Sequence, residues 1–260
     1  MRSVAPRHDK GTMTMRLTSR IYLVGSGWYG FGLTNDYDCH VYLVDCGSSA
    51  VLVDSGAGLE VDRIVEELRR DGFAPDQISH VLLTHGHADH SGGAAHFQSR
   101  YGSAVIASPR AGQFLRTGDE EAISLALARN AGIYPPDYRW SACPVERTLE
   151  DQETITIGEC RFTAINTPGH CSGHISFLLP TEEGDVLFAG DAVFHNGQVL
   201  VQAIPDCSIW EYRQTMRRLR DLRITTLLPG HLALGLRNGQ AHIAAAARAF
   251  DTLLPPRNIL

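Results

Sequence analysis

A basic excess, long apolar runs and paired cysteines are all missing from this chain of 260 residues. Each absence removes a class of function. Its 23 lysines and arginines are outnumbered by 29 aspartates and glutamates, a formal net charge of -6, so there is no positive field to gather a nucleic acid. No uninterrupted apolar stretch approaches the roughly 20 residues that a membrane-crossing helix needs. The six cysteines, Cys39, Cys46, Cys143, Cys160, Cys171 and Cys207, contain no Cys-x-x-Cys pair, and a chain of this size needs no disulfide framework. Residues 1–16 carry Arg2, Arg7, Lys10 and Arg16 but no apolar core of a secretory signal, which reads as a flexible tail on a cytoplasmic protein. Neither repeats nor low-complexity tracts are visible. At 43% hydrophobic and 20% charged, the chain can bury one sizeable core, and a single domain over 17–260 is expected rather than two.

What the chain does have is a concentration of metal donors. His85, His87, Asp89 and His90 follow the apolar run Val81-Leu82-Leu83, all on one short turn. Four such groups would desolvate one another and repel protons with no structural return unless a cation held them. Ser91-Gly92-Gly93 then suggests a tight turn into a helix over 94–100. Three further donors repeat one local grammar, an apolar strand, then Pro or Gly, then a ligand. His170 follows Phe162 to Gly169, Asp191 follows Val186 to Gly190, and His231 follows Ile224 to Gly230. If these strands lie in one sheet they end side by side, and a glycine before each ligand lets the backbone approach the ion. Seven donors are too many for one tetrahedral ion, whereas two ions sharing a bridging carboxylate use them all.

Around these runs the pattern alternates strand, loop and helix. Ile21–Val24, His40–Val44 and Ala50–Val53 read as strands, with Asp45 to Ser49 as the turn between the last two. Val61, Ile64, Val65 and Leu68 have helical spacing. Ser208 and Glu211 have the form of a capping box, followed by an apolar stripe of Ile209, Tyr212, Met216 and Leu219. Ile243, Ala247, Phe250 and Leu254 mark a last helix. Asp119 to Asn130 has a helical apolar pattern within an insertion at about 109–145. There Tyr134, Tyr138 and Trp140, aromatics with polar tips, would suit the wall of a substrate channel. Trp28-Tyr29-Gly30-Phe31 raises the same question. Cys171, next to His170, would point away from it in an extended segment and reads as packing.

The runs Thr84 to His90, Thr167-Pro168-Gly169-His170, Gly190-Asp191 and Pro229-Gly230-His231 resemble, in order, the motifs of the metallo-β-lactamase superfamily, over roughly Ile21 to His231. The resemblance implies an α+β fold, an αβ/βα four-layer sandwich of two mixed β-sheets flanked by helices, with the site along one edge. It implies that His85, His87 and His170 hold one divalent ion, that Asp89, His90 and His231 hold a second, and that Asp191 bridges them. Zinc is expected, while iron and manganese suit the same donors. Asp54 resembles the superfamily's strand-end aspartate, which supports the histidine loop from behind. The implied chemistry is hydrolysis by a metal-bridging hydroxide, with Asp89 or Asp191 relaying the proton to the leaving group.

Asp191 as bridge, together with Asp89-His90, argues against the β-lactamases that name the superfamily. It is similar instead to the glyoxalase II and lactonase branches, which open thioesters, esters or lactones. Thr167 to His174 is similar to glyoxalase II, yet only one helix-sized segment follows His231, where that enzyme continues into a helical glutathione-binding domain. His174-Ile175-Ser176 is similar to acyl-homoserine lactone lactonases, but Phe194 and His195 follow Asp191 where a substrate-orienting tyrosine is sought. His174 and His195 could each assist an oxyanion, or be hydrogen-bonded loop residues. The alternatives are a mononuclear iron persulfide dioxygenase, a phosphodiesterase, which would want a basic groove, and a β-lactamase. A small-molecule substrate is expected, with no nucleic-acid or membrane partner, and a homodimer is compatible with the sequence.

Overall fold

The computed structural model describes residues 15–259, and in it the apolar runs form two sheets packed face to face. The first holds β1 (Ile21–Gly25), β2 (Val41–Asp45), β3 (Ala50–Val53), β4 (Ile78–Leu82), β5 (Ala104–Ala107) and β6 (Arg147–Thr148), neighbours in that order. Its β1, β2 and β3 are antiparallel, and from β3 to β6 the pairing is parallel. The second holds β7 (Thr154–Ile157), β8 (Cys160–Asn166), β9 (Ile175–Leu179), β10 (Asp185–Gly190) and β11 (Ile224–Pro229), antiparallel except for the β10–β11 pair. The helices are α1 (Val61–Arg70), α2 (Ala88–Ser91), α3 (Ala94–Tyr101), α4 (Pro109–Thr117), α5 (Leu125–Asn130), α6 (Ile209–Leu219) and α7 (Gly239–Asp251).

Alternation along the strands builds the layers, because successive side chains leave a strand on opposite faces. Tyr42, Val44, Val51, Val53, Leu82 and Ile106 pack against Phe162, Phe177, Val186 and Phe188 of the second sheet. Val41, Leu43, Leu52 and Val81 face the other way, onto Ile64, Val65 and Leu68 of α1 and Phe97 of α3. Leu187, Ala189 and Leu227 turn outward onto Tyr212, Met216, Ile243 and Phe250 of α6 and α7. Helix, sheet, sheet, helix is the four-layer αβ/βα order that the resemblance implies. No helix among the described residues is long and apolar enough to cross a membrane.

Several local expectations are corrected. Residues 1–14 of the expected tail lie outside the described residues, and Met15 accepts the Leu23 N–H at 2.9 Å, so the tail's described end pairs with β1. The pattern over Asp119 to Asn130 yields a helix only from Leu125, because Ser124 just before it takes a left-handed backbone, φ 56°, that a right-handed helix cannot contain. Ser208 does cap α6, accepting from the Glu211 N–H, but Ile209 sits in the first turn at the rim of the stripe and is exposed. Leu254 lies beyond the end of α7 and is exposed.

Candidate metal centre

The histidine loop leaves β4 at Leu82 and is tied to β3 by Asp54. One oxygen of that carboxylate accepts the Thr84 N–H at 2.8 Å, and the Thr84 hydroxyl donates to it as well. His87 caps the four-residue helix α2, which carries Asp89 and His90. The tight turn expected at Ser91-Gly92-Gly93 is instead continuous right-handed helical backbone into α3. Glycine is needed there because a Cβ on Gly92 or Gly93 would overlap the carbonyl oxygens of Ala57 or Ser55. The three downstream donors do come from one sheet, His170, Asp191 and His231 following β8, β10 and β11 of the second, while the 85–90 loop meets them from β4 of the first. Backbone proximity is extreme at Gly230, where a Cβ would overlap Asp191 Oδ1 and stand 2.6 Å from His90 Cε1.

Hydrogen bonds behind the rings fix which nitrogen is bare, since a ring N–H committed to an acceptor leaves the lone pair on the other nitrogen. His85 Nδ1 donates to Thr84 Oγ1 at 3.0 Å, His90 Nδ1 to Asp54 Oδ2 at 2.8 Å, and His170 Nδ1 to the Leu200 carbonyl at 3.1 Å. Each Nε2 is therefore the nitrogen left for an ion, and that of His170 lies 2.9 Å from His87 Nδ1. His85 Nε2, His90 Nε2 and Asp191 Oδ1 are buried with no hydrogen-bond partner among the described residues, an arrangement costing about 1–3 kcal/mol per group unless something binds them. A cation supplies what they lack, and imidazole and carboxylate oxygen are the donors it prefers.

The donors fall into two groups joined by one carboxylate. Single donor atoms of His85, His87 and His170 lie within 4.8 Å of one another, as do those of Asp89, His90 and His231. His231 Nε2 is 3.1 Å from Asp89 Oδ2, and His90 Nε2 is 3.5 Å from the same oxygen. Asp191 stands between: its Oδ2 is 3.5 Å from His170 Nε2 and 3.6 Å from His231 Nε2, and its Oδ1 is 3.4 Å from His90 Nε2.

The thiol of Cys171 joins the first group within the same 4.8 Å, contrary to the expectation that it points away. Alternation holds only in extended chain, and residues 168–173 form a turn. The two glycines that bracket His170-Cys171-Ser172 were the available signal.

Electrostatics separate the rings: burial works against charge on His90, but Cys39, Asp89, Asp191 and Asp54 outweigh it and hold that ring well above the ordinary histidine range, so an ion at its Nε2 would take the place of a proton. Burial holds His85 well below the ordinary histidine range and His87 down to about 3, and lowers His170, so these rings stay neutral and able to ligate. Burial works against charge on Asp89, but His90 and His231 outweigh it and keep the carboxyl below its ordinary range. The same opposition holds Asp191 well below its usual value, through His231, His90 and His170.

The remaining residues divide. His174 donates from Nδ1 to Thr167 Oγ1 at 2.8 Å and accepts the Asp191 N–H on Nε2 at 3.0 Å, so it orients the Asp191 backbone. His195 lies outside the donor groups, its ring centroid 4.3 Å from that of His242. Tyr134, Tyr138 and Trp140 are all buried, with their polar tips on Asp89, the Ala57 carbonyl and Ser91. Trp28, Tyr29 and Phe31 are exposed and line, with Leu232 and Ala233, a shallow cleft of about 350 Å³. That cleft adjoins the donors, with the Tyr29 ring 6.4 Å from the ring of His231. Tyr212, read from sequence only as an apolar helix residue, places its hydroxyl 3.0 Å from the Asp191 carbonyl and 2.9 Å from that of Leu200.

Known proteins resemble this chain to different depths. A Gallus gallus protein named acyl-coenzyme A thioesterase MBLAC2 is 30% identical over 210 residues, covering 74% of this chain and 72% of its own. An Aspergillus fumigatus protein named atrochrysone carboxyl ACP thioesterase is 28% identical over 196 residues, covering 75% of this chain and 51% of its own. The chain spans about half the length of such fungal relatives. Among solved structures, the subclass B3 metallo-β-lactamase BJP-1 of Bradyrhizobium japonicum superposes with a TM-score of 0.70 at 22% identity over 92% of each chain. FEZ-1 from Legionella gormanii gives 0.70 at 18% identity over 92% of this chain and 94% of its own. At such identities these two establish the fold. The sequence model of the metallo-beta-lactamase superfamily matches residues 34–231, more than half of the chain. This protein belongs to the metallo-β-lactamase superfamily.

Proposed function

We propose that the protein is a metal-dependent hydrolase with a two-ion centre that opens a carboxylic thioester. The observation that carries the two-ion reading is the position of Asp191, one carboxylate turned toward His170 on one side and His231 on the other. Two divalent ions held there would supply an activated water and a Lewis acid for the acyl carbonyl. Zinc, iron and manganese all suit this donor set, with zinc our first choice. The chain's own part is to keep His85, His87 and His170 neutral, Asp89 and Asp191 anionic, and each bare nitrogen aimed. Asp89, with a side chain 20% exposed where Asp191 is 2%, is the carboxylate placed to pass a proton to the departing thiolate.

Thioesters are favoured over esters and lactones by the relatives named as thioesterases. The aromatic cleft beside His231 fits that choice, since its exposed apolar faces suit an acyl chain. The test is a turnover panel on zinc-loaded protein with acyl and glutathione thioesters, an aryl ester, a lactone, a β-lactam and a phosphodiester. Acyl thioesters should turn over fastest. Activity confined to the β-lactam or the phosphodiester would overturn the choice of bond. Oxygen consumption on a persulfide with a single bound iron would replace the hydrolase reading with a dioxygenase.

A further inference from the structure

The insertion after β5 returns over the histidine loop, and three of its aromatic side chains end on that loop or beside it. Tyr134 Oη donates to Asp89 Oδ1 at 3.2 Å, Trp140 Nε1 donates to Ser91 Oγ at 2.9 Å, and Tyr138 Oη donates to the Ala57 carbonyl at 2.7 Å. Ser91 Oγ in turn donates to the Gly86 and His87 carbonyls, within the loop that carries the donors. Packing aims the Tyr134 hydroxyl. Its ring is stacked on Tyr138, with centroids 4.9 Å apart and planes at 17°, and lies 5.7 Å from the ring of Tyr37.

Asp89 has the most to gain from an anchor. It sits in a helix of only four residues with a partly exposed side chain, so its carboxylate has rotamer freedom that the buried Asp191 lacks. With Oδ1 taken by Tyr134, Oδ2 is the oxygen left facing His231 and His90. A carboxylate held in this way meets an ion through one oxygen in a fixed direction.

We propose that Tyr134 is a positioning residue for the second ion: its hydroxyl holds Asp89 so that Oδ2 alone faces the metal, and the stacked ring of residue 138, which phenylalanine would keep, supports the ring of Tyr134. The insertion thereby sets the affinity of one of the two ions. This rests on the reading that Asp89 ligates the second ion.

Tyr134→Phe removes one oxygen and keeps the ring in its stack. Zinc binding is measured by chelator competition, and cobalt binding by the absorption spectrum of the second ion added. Controls are Tyr138→Phe, whose lost bond ends on Ala57 rather than on a donor, and Asp89→Ala. In Tyr134→Phe the second ion should bind about 10–100-fold more weakly with an altered cobalt spectrum, while the first ion and the melting temperature stay as in wild type. Tyr138→Phe should bind both ions as wild type does. Wild-type affinity in Tyr134→Phe, alongside loss of the second ion in Asp89→Ala, overturns the proposal and leaves the two-ion reading standing. Equal weakening in Tyr134→Phe and Tyr138→Phe also overturns it, since that marks general loss of packing. Undiminished second-ion binding in Asp89→Ala overturns the reading and the proposal together.

Discussion

Replacing Asp54 with asparagine changes one oxygen to nitrogen and tests the logic of the whole centre. Three donors converge on this carboxylate: the Thr84 N–H at 2.8 Å, the Thr84 hydroxyl, and His90 Nδ1–H at 2.8 Å. Asparagine offers a single acceptor oxygen. The Thr84 backbone N–H cannot turn away, and leaving it buried and unpaired costs about 1–3 kcal/mol, so the oxygen stays with Thr84. The amide NH2 then faces His90 and donates to its Nδ1. His90 must move its proton to Nε2, the nitrogen that faces Asp89 and Asp191. An imidazole protonated there cannot ligate. The second ion should therefore bind about 10–100-fold more weakly, or about 1.4–2.8 kcal/mol, from a side chain that never touches it. Asparagine tolerates the left-handed backbone of position 54, φ 61°, so the metal-free fold should be retained. Chelator competition reads the affinity and far-UV circular dichroism the fold. Wild-type affinity for both ions in a folded Asp54→Asn protein would refute the tautomer argument.

Gly230→Ala changes no donor, yet its Cβ would displace Asp191 or His90. Turnover should fall about 100-fold, the cost of roughly 1 Å of misplacement, and near-normal turnover would show that the close approach is not needed. Burial lowers His40 to about 3 from an ordinary value of 6.5. The unfolded chain therefore takes up a proton below about pH 6.5 that the folded chain refuses until about pH 3. Stability from this residue is complete above that window and lost as pH falls through it, by about 2 kcal/mol at pH 5. Urea midpoints of metal-free protein at pH 7.5 and 5 should show a smaller acid loss in His40→Gln, and equal losses would reject the assignment. Trp28→Ala and Phe31→Ala remove exposed rings from the cleft, leaving stability within about 0.5 kcal/mol. Each should raise KM for long acyl thioesters about tenfold and spare short ones, and equal effects on both would refute a role in holding the acyl chain.

What could be read in the sequence was what is local in the chain. The histidine loop and the three downstream donors announce themselves because strand, glycine or proline, and ligand are contiguous, and the layers follow from alternation within single strands. What escaped depends on distant contacts or on the wrong local geometry. The donors converge from two sheets, which no contiguous pattern records. Cys171 was misjudged because strand alternation was applied to a turn. Tyr134 meets Asp89 across 45 positions of chain, and nothing near either residue marks the pair. The left-handed backbone of Ser124 shortens a helix, although the apolar spacing continues across it.

The central claim is that one carboxylate serves two ions, and metal content tests it most directly. Wild-type protein and Asp191→Asn are loaded with zinc, dialysed against metal-free buffer and analysed for metal per folded chain. Two ions in the wild type, with loss of at least one in Asp191→Asn, is the result predicted. One ion or fewer in fully active wild type, or two ions retained in Asp191→Asn, would contradict it.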